Sequence, residues 1–314
     1  MHKYVLKRLA FLIPTILGVT FIIFAVMNIT PGDPGRAILG TNATQADVDA
    51  YNHMLGYDRP FMEKYVNYIV KVVTSGDFGT SYYTKQPVFD EIWPRFQLTI
   101  KLSVGGVLLA ALIGVPLGIL AAVKQYSLWD TIPSLLSFFI AAIPGFVLGT
   151  VLLYVFALKL NLLPSYGTSA GWTSYILPMI AIAVPPAAQN MRFTKSSMLE
   201  SIRQDYVRTA RAKGAPERTV IWKHALKNAL LPVVTQIGMS LGMLICGSVV
   251  VERLFSLPGL GSLIVDRITY SDEPTIIAGT MLISVCFTIV MLMVDIIYAF
   301  IDPRIRAKYS KSAR

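Results

Sequence analysis

An all-α integral membrane protein with six spans is the fold class this sequence predicts, and three observations predict it. Only 15% of the 314 residues are charged, against roughly 25% in soluble domains. Apolar residues make up 54%, and mean hydropathy is +0.58. Six apolar runs, at about Leu9–Ile29, Leu98–Val123, Ile132–Leu158, Ser174–Met191, Leu230–Val251 and Ile276–Ile301, approach or exceed the roughly 20 residues that cross a hydrocarbon core.

The first run follows Met1-His2-Lys3-Tyr4-Val5-Leu6-Lys7-Arg8, a basic start like that of a secretory signal. It outruns the roughly 7–15 apolar residues of a signal and meets no small-residue cleavage site. It ends in the turn-rich Thr30-Pro31-Gly32-Asp33-Pro34, so an uncleaved first helix is expected. The fourth run is interrupted by Pro178, Pro185 and Pro186, which a span tolerates where neighbouring helices or water meet the freed carbonyls. A packed or cavity-lining helix and an ordinary kink are equal readings of it. Cys246 and Cys286 fall inside runs, where a thiol packs as a small apolar group.

Six spans put both ends on one side. That side receives about two thirds of the 28 Lys and Arg, which places both termini in the cytoplasm. Retention of cationic loops also accounts for the net charge of +10 and the pI near 9.5, so membrane lipid is an expected partner and nucleic acid is not. Residues 30–97 then form an extracytoplasmic loop. Within it Phe61, Met62, Tyr65, Val66, Ile69, Val70, Val72 and Val73 recur at helical spacing around Glu63, Lys64, Asn67 and Lys71, an amphipathic helix that lies on the membrane or caps a pore. Gly76–Ser81 reads as a turn, and the aromatic content of the loop favours a folded cap that meets a partner.

On the other side, residues 192–230 form a basic segment between two spans. Ser197 to Lys213 are good helix formers, Gly214 suits the positive φ that ends a helix, and Pro216 with Glu217 opens another. Two helices meeting at a sharp elbow are expected. The plain alternative is a basic hairpin on anionic lipid, and a DNA-reading motif is disfavoured because both ends are tethered to the bilayer.

Ionisable residues inside spans mark function or a structural pair. Asp295 is the clearest, either a path or gate contact or, the favoured reading, the partner of a basic residue such as Arg192. Gln189, Asn190, Gln236, Ser240, Ser248, Ser284 and Thr288 line a cavity or join helices. Asp295 has no second spanning Asp for an aspartyl protease, and His2, His53 and His224 are too scattered for a metal site. No Gly-x-x-x-x-Gly-Lys-Ser/Thr is found. Neither catalysis nor a bound metal is expected, and any motor is a partner. A proton-coupled carrier is the rival reading, but it has no use for the elbow.

In order along the chain stand Thr30-Pro31-Gly32-Asp33-Pro34, Gly56-Tyr57-Asp58-Arg59-Pro60, Gly76-Asp77-Phe78-Gly79, Asp205-Tyr206-Val207-Arg208-Thr209-Ala210-Arg211-Ala212-Lys213-Gly214, His224-Ala225-Leu226-Lys227-Asn228-Ala229-Leu230-Leu231-Pro232, Phe255-Ser256-Leu257-Pro258-Gly259-Leu260-Gly261 and Asp302-Pro303-Arg304. Together they resemble the permease subunits of the bacterial ATP-binding-cassette (ABC) importers for dipeptides, oligopeptides and, in some branches, nickel. The resemblance implies a type I importer permease fold, with residues 1–314 as one transmembrane domain in the bacterial cytoplasmic membrane. It implies a coupling segment at Arg208, Thr209, Ala210, Arg211, Ala212, Lys213, Gly214, Ala215, Pro216 and Glu217, with the coupling helix near Ala215 to Val220. Arg208-Thr209-Ala210 stands where the broad importer motif begins Glu-Ala-Ala, and Leu231-Pro232 falls later than in the sugar-type importers. By the same resemblance the partners are a second, similar permease chain, two ATP-binding subunits that carry ATP and Mg2+, and an external binding protein docking near Gly76, Asp77, Gly79, Pro258 and Gly259. Asp295, Gln189, Asn190 and Gln236 are the path candidates. Peptide is the expected cargo, ahead of nickel or another small solute.

Overall fold

The computed structural model describes residues 2–29 and 33–301. The Thr30-Pro31-Gly32 and Asp302-Pro303-Arg304 motif residues, and the basic Arg306, Lys308, Lys311 and Arg314, lie outside that range. Fourteen α-helices occur among the described residues: α1 (His2–Ile29), α2 (Pro34–Leu39), α3 (Gln45–Leu55), α4 (Phe61–Ser75), α5 (Val88–Val123), α6 (Leu128–Ala142), α7 (Gly145–Leu152), α8 (Ile176–Ile202), α9 (Asp205–Ala212), α10 (Glu217–Thr219), α11 (Leu226–Gly247), α12 (Val249–Leu254), α13 (Leu260–Thr269) and α14 (Glu273–Ile301). Wider π-helical turns, Leu153–Lys159 and Val220–Ala225, continue α7 and α10. The described chain divides into two compact units, one mainly of Ile100–Leu257 with the described residues that follow Thr288, the other of Leu6–Thr99 and Pro258–Thr288.

Among the described residues five helical stretches are long and apolar enough to cross a membrane: Leu9–Ile29, Val88–Val123, Gly171–Ile202, Glu217–Gly247 and Glu273–Ile297. A sixth exists only if Leu128–Ala142 and Gly145–Lys159, bent by 100°, count together. The third expected span, Ile132–Leu158, is therefore not one straight helix. Pro144 has no N–H to continue the ladder and holds Ile143 in an extended conformation at ψ 121°. The second span starts ten residues before the apolar run, at Val88, because Asp90 and Glu91 in the first turn suit a helix N-terminus.

In the unit containing Leu6–Thr99, the long loop is folded as expected. Asp33 caps α2 by accepting the Arg36 N–H at 3.0 Å, and it accepts the Asn52 amide at 2.8 Å. Asn52 in turn accepts the Gly35 N–H at 2.8 Å. A Cβ on Gly35 would stand 2.8 Å from the Asn52 Oδ1, so the contact requires glycine. Helix α4 packs against α1. Its Phe61 and Tyr65 meet Phe21 edge to face at 5.3 and 5.4 Å, and the Tyr65 hydroxyl donates to the Leu17 carbonyl at 2.9 Å. Met62, Val66, Val70 and Val73 form an exposed stripe on the same helix. A polar network anchors the loop end: buried Asp272 accepts the Ser81 hydroxyl at 2.6 Å, the Tyr82 N–H at 2.8 Å and the Thr275 hydroxyl at 2.8 Å. Arg267 links Asp272, at 3.4 Å, to Glu91, at 3.0 Å.

In the other unit, α5 and α8 cross on glycines. A Cβ on Gly114 would lie 2.4 Å from the Ala187 carbonyl oxygen, and one on Gly118 would lie 2.5 Å from that of Met191. Small residues four apart let two membrane helices approach to backbone contact. Asp130 of α6 pairs with Lys195 of α8 and also accepts the Tyr126 N–H at 3.0 Å. Helix α8 runs unbroken through Pro185 and Pro186, and a cavity of about 240 Å³ borders both prolines together with Gly145, Phe146 and Val250. The span thus lines a cavity at these prolines. Cys286 is half-buried in α14, whereas Cys246 is exposed on α11 rather than packed.

Candidate functional site

The elbow is built from both of its arms inward. The expected single helix from Ser197 to Lys213 is broken: α8 ends at Ile202, Gln204 is extended at ψ 151°, and α9 begins at Asp205. The break lets α9 fold back onto the segment that follows it. Val207 and Ala210 bury against Val220, Ile221 and Ala225, with Ile119, Ala122, Met198 and Ala229 completing the core. The buried Ser201 hydroxyl donates to the Ala225 carbonyl at 2.7 Å, and the Ser197 hydroxyl donates to that of Ala229 at 2.8 Å. From the α8 side, Ser201 braces the end of the π turn and Ser197 the first turn of α11.

Helix α9 stops as the sequence suggests. Gly214 has φ +77°, the Ala215 N–H reaches back to the Ala210 carbonyl at 3.2 Å, and the Gly214 N–H reaches that of Arg211 at 2.9 Å. These are the two bonds of a Schellman stop, and half-buried Ala215 packs on the same core as Ala210. Pro216 then precedes α10. The second arm is not a separate helix, since Glu217–Thr219 runs on through the π turn into α11. Across the corner, the Arg211 guanidinium donates two hydrogen bonds to the Glu217 carboxylate, at 2.6 and 3.1 Å. Planar, two-point pairing of this kind fixes orientation. Arg208, Thr209, Arg211, Ala212, Lys213, Pro216 and Glu217 are all exposed around this corner, as is Trp222. The arrangement is a rigid, cation-rich knuckle with an apolar underside. The Arg211–Glu217 clasp and exposed Trp222 had no motif signal, although an Arg and a Glu flanking a Gly-x-Pro turn could have suggested the clasp.

The path candidates separate. Gln189 and Gln236 border one cavity of about 340 Å³ with Arg192, Phe193 and Ser196. Asn190 does not join them. It is fully buried toward Gly114, and both atoms of its amide lack a partner among the described residues. Arg192 stands over the Phe138 ring at 5.3 Å. Asp295 is half-buried beside Val294, which packs on Gly238. The Ser240, Ser284 and Thr288 hydroxyls return to carbonyls of their own helices, at 2.9, 2.8 and 2.7 Å, and Ser248 bonds the buried Glu252 at 2.8 Å. Sequence reading missed the buried acids Asp130 and Glu252, which lie among apolar runs without a motif.

Among the receptor-facing candidates Gly76, Asp77 and Pro258 are exposed, Gly79 is half-buried and Gly259 is buried. Asp77 accepts the Gly79 N–H at 2.8 Å, and Phe78 and Leu260 share one core with Val88 and Ile92.

Residues 114–307 match the family described as the binding-protein-dependent transport system inner membrane component, and residues 1–103 match the N-terminal region of such membrane components. The chain is 41% identical over 308 residues to the glutathione transport system permease protein GsiC of Salmonella choleraesuis (strain SC-B67), covering 98% of this chain and 100% of that one. It is 40% identical over the same coverage to GsiC of Escherichia coli (strain K12). The fold is similar to the inward-facing MetNI methionine ABC transporter, with TM-score 0.56 and 18% identity over 68% of this chain and 97% of that one. An amino acid ABC transporter solved with histidines aligns with TM-score 0.51 and 14% identity, over 76% and 98%. The chain belongs to the binding-protein-dependent transport family and is the multi-pass inner-membrane permease subunit of an ABC importer.

Proposed function

We propose that the cargo is a small peptide and that the Arg208–Glu217 knuckle couples its passage to ATP hydrolysis on partner subunits. The observation that carries the cargo reading is the 41% identity, over nearly the whole chain, to a permease named for glutathione, itself a modified tripeptide. Support for coupling comes from the geometry of the elbow. A corner locked by a Schellman stop, a two-point ion pair and a buried apolar underside transmits a push without bending. In this reading both termini and the knuckle are cytoplasmic, and two ATP-binding subunits holding ATP and Mg2+ grip the knuckle. A second permease chain completes the path, and an external binding protein delivers cargo near Gly76, Asp77, Gly79, Pro258 and Gly259. In this reading the Gln189–Gln236 cavity is the polar part of the path on this chain, and Asp295 is a structural ion-pair residue first and a gate contact second.

The deciding experiment is uptake of a labelled tripeptide and of labelled nickel in cells with and without this chain, with ATP intact and then depleted at a preserved proton gradient. Peptide uptake that requires both the chain and ATP is expected. A response to nickel alone would replace the cargo, and uptake that follows the proton gradient without ATP would overturn ATP coupling.

A further inference from the structure

The unit containing Leu6–Thr99 holds a cavity of about 550 Å³ bounded by α3, α4, the loop after α4 and the start of α14, within the roughly 300–1,000 Å³ of small-molecule sites. Four cations border it: Arg59, Lys64, Lys71 and Lys85. Among the described residues only Arg59 makes a close ion pair, with Glu63 at 3.4 Å, while Lys64 attracts Glu273 from farther off. Lys64 reaches the Asn28 side-chain oxygen and the Tyr57 carbonyl at 3.3 Å each, and Lys85 rests on the Tyr51 hydroxyl. The same wall contains Glu273, only 6% exposed, whose carboxylate makes no hydrogen bond or ion pair among the described residues. The buried Tyr68 hydroxyl in the lining also has no hydrogen-bond partner among the described residues. Lys64 attracts the Glu273 carboxylate without coming within ion-pair distance, so the Glu273 oxygens remain open to a ligand cation in the cavity. A purely cationic ligand meets the lysines, however, and a purely anionic one meets Glu273.

We propose that this cavity binds a small zwitterion, a free di- or tripeptide, with its ammonium on Glu273 and its carboxylate on the Lys64 and Lys71 ammonium groups. The inference rests on the peptide reading above and places a second, permease-borne recognition step beside the external receptor.

The test is calorimetric titration of the full chain in lipid nanodiscs with tri-alanine, N-acetyl-tri-alanine and tri-alanine amide. Tri-alanine is expected to bind, and capping either end is expected to weaken it by about tenfold or more, the weight of one charge-assisted contact. Glu273→Gln should bring tri-alanine down to the level of its N-acetyl form and leave that form unchanged. Lys71→Met, a surface change that folding tolerates, should narrow the gap between free tri-alanine and its amide. Absence of binding, equal affinity for capped and free peptides, or unaltered discrimination in both variants overturns the proposal. Tri-alanine uptake by the assembled transporter without nanodisc binding removes this site and leaves the importer reading intact. Nanodisc binding without uptake removes the peptide cargo and leaves the site.

Discussion

Gly214 is the residue on which the knuckle turns. Its φ of +77° costs an L-residue about 1–2 kcal/mol, and crowding adds nothing because a Cβ there would meet no atom within 4 Å. Gly214→Ala should therefore shift the elbow's conformational equilibrium by about 5- to 30-fold, whereas Gly214→Asn, a residue that visits this region, should shift it less. Gly214→Pro is different in kind. The ring holds φ near −65°, a swing of about 140° from the native value. It also removes the N–H that bonds the Arg211 carbonyl, adding about 0.5–1.5 kcal/mol. That swing separates Arg211 from Glu217 and lifts Ala215 from Ala210. Val207, Ala210, Val220 and Ile221 keep their buried contacts on each arm, so the protein should still reach the membrane. The assay is solute taken up per ATP hydrolysed by the transporter reconstituted with its ATPase partners. The expected order is glycine, then asparagine, alanine and proline, with the proline variant hydrolysing ATP without uptake. Normal uptake by Gly214→Pro, or an asparagine variant as defective as proline, would refute the rigid-lever argument.

Three further predictions concern stability. Gly114→Ala should lower the thermal midpoint by the equivalent of about 1–3 kcal/mol, since its Cβ meets an unyielding carbonyl; Gly18→Ala, with nothing within 4 Å, should be neutral, and equal effects in a thermal-shift assay would contradict the crossing described. Asp130→Ala should cost up to about 3 kcal/mol by stranding Lys195 in a largely buried pair, with a second change, Lys195→Ala, recovering part of it in a double-variant cycle. Burial alone would raise the Asp33 carboxyl, but hydrogen bonds from the Asn52 side chain and the Arg36 and Gly35 backbone outweigh it and hold the group below its ordinary range. Its contribution is present above the unfolded carboxylate pKa of about 3.9 and is lost as pH falls through the lower folded value. Amide exchange in α2 and α3 should accelerate in that acidic window, and an identical pH profile in Asp33→Asn would exclude this origin.

Hydropathy and turn chemistry alone determine much of this protein. Five apolar runs, the Gly214 stop and the folded outer loop are set by local rules, namely bilayer thickness, the left-handed preference of glycine and helical periodicity, and each is legible without a partner residue in view. The ordered motifs also carry the family, because so many short matches in one sequence order cannot arise from composition. Tertiary structure decided the rest. Nothing local at Ile143-Pro144 distinguishes a kink from a 100° reversal, and nothing in the helix-forming run from Ser197 to Lys213 announces the break that folds Val207 onto Val220. Of the four path candidates Gln189 and Gln236 share a cavity. Asn190, the next residue on the same helix, points about 100° away and is buried toward Gly114. The pairing of Asp130 with Lys195, 65 positions apart, and the trio of Arg267, Asp272 and Glu91 likewise depend on helices brought together by the fold. Period and composition specify which face of each helix is apolar, but only packing selects which faces meet, and charge pairing and cavities are properties of those meetings.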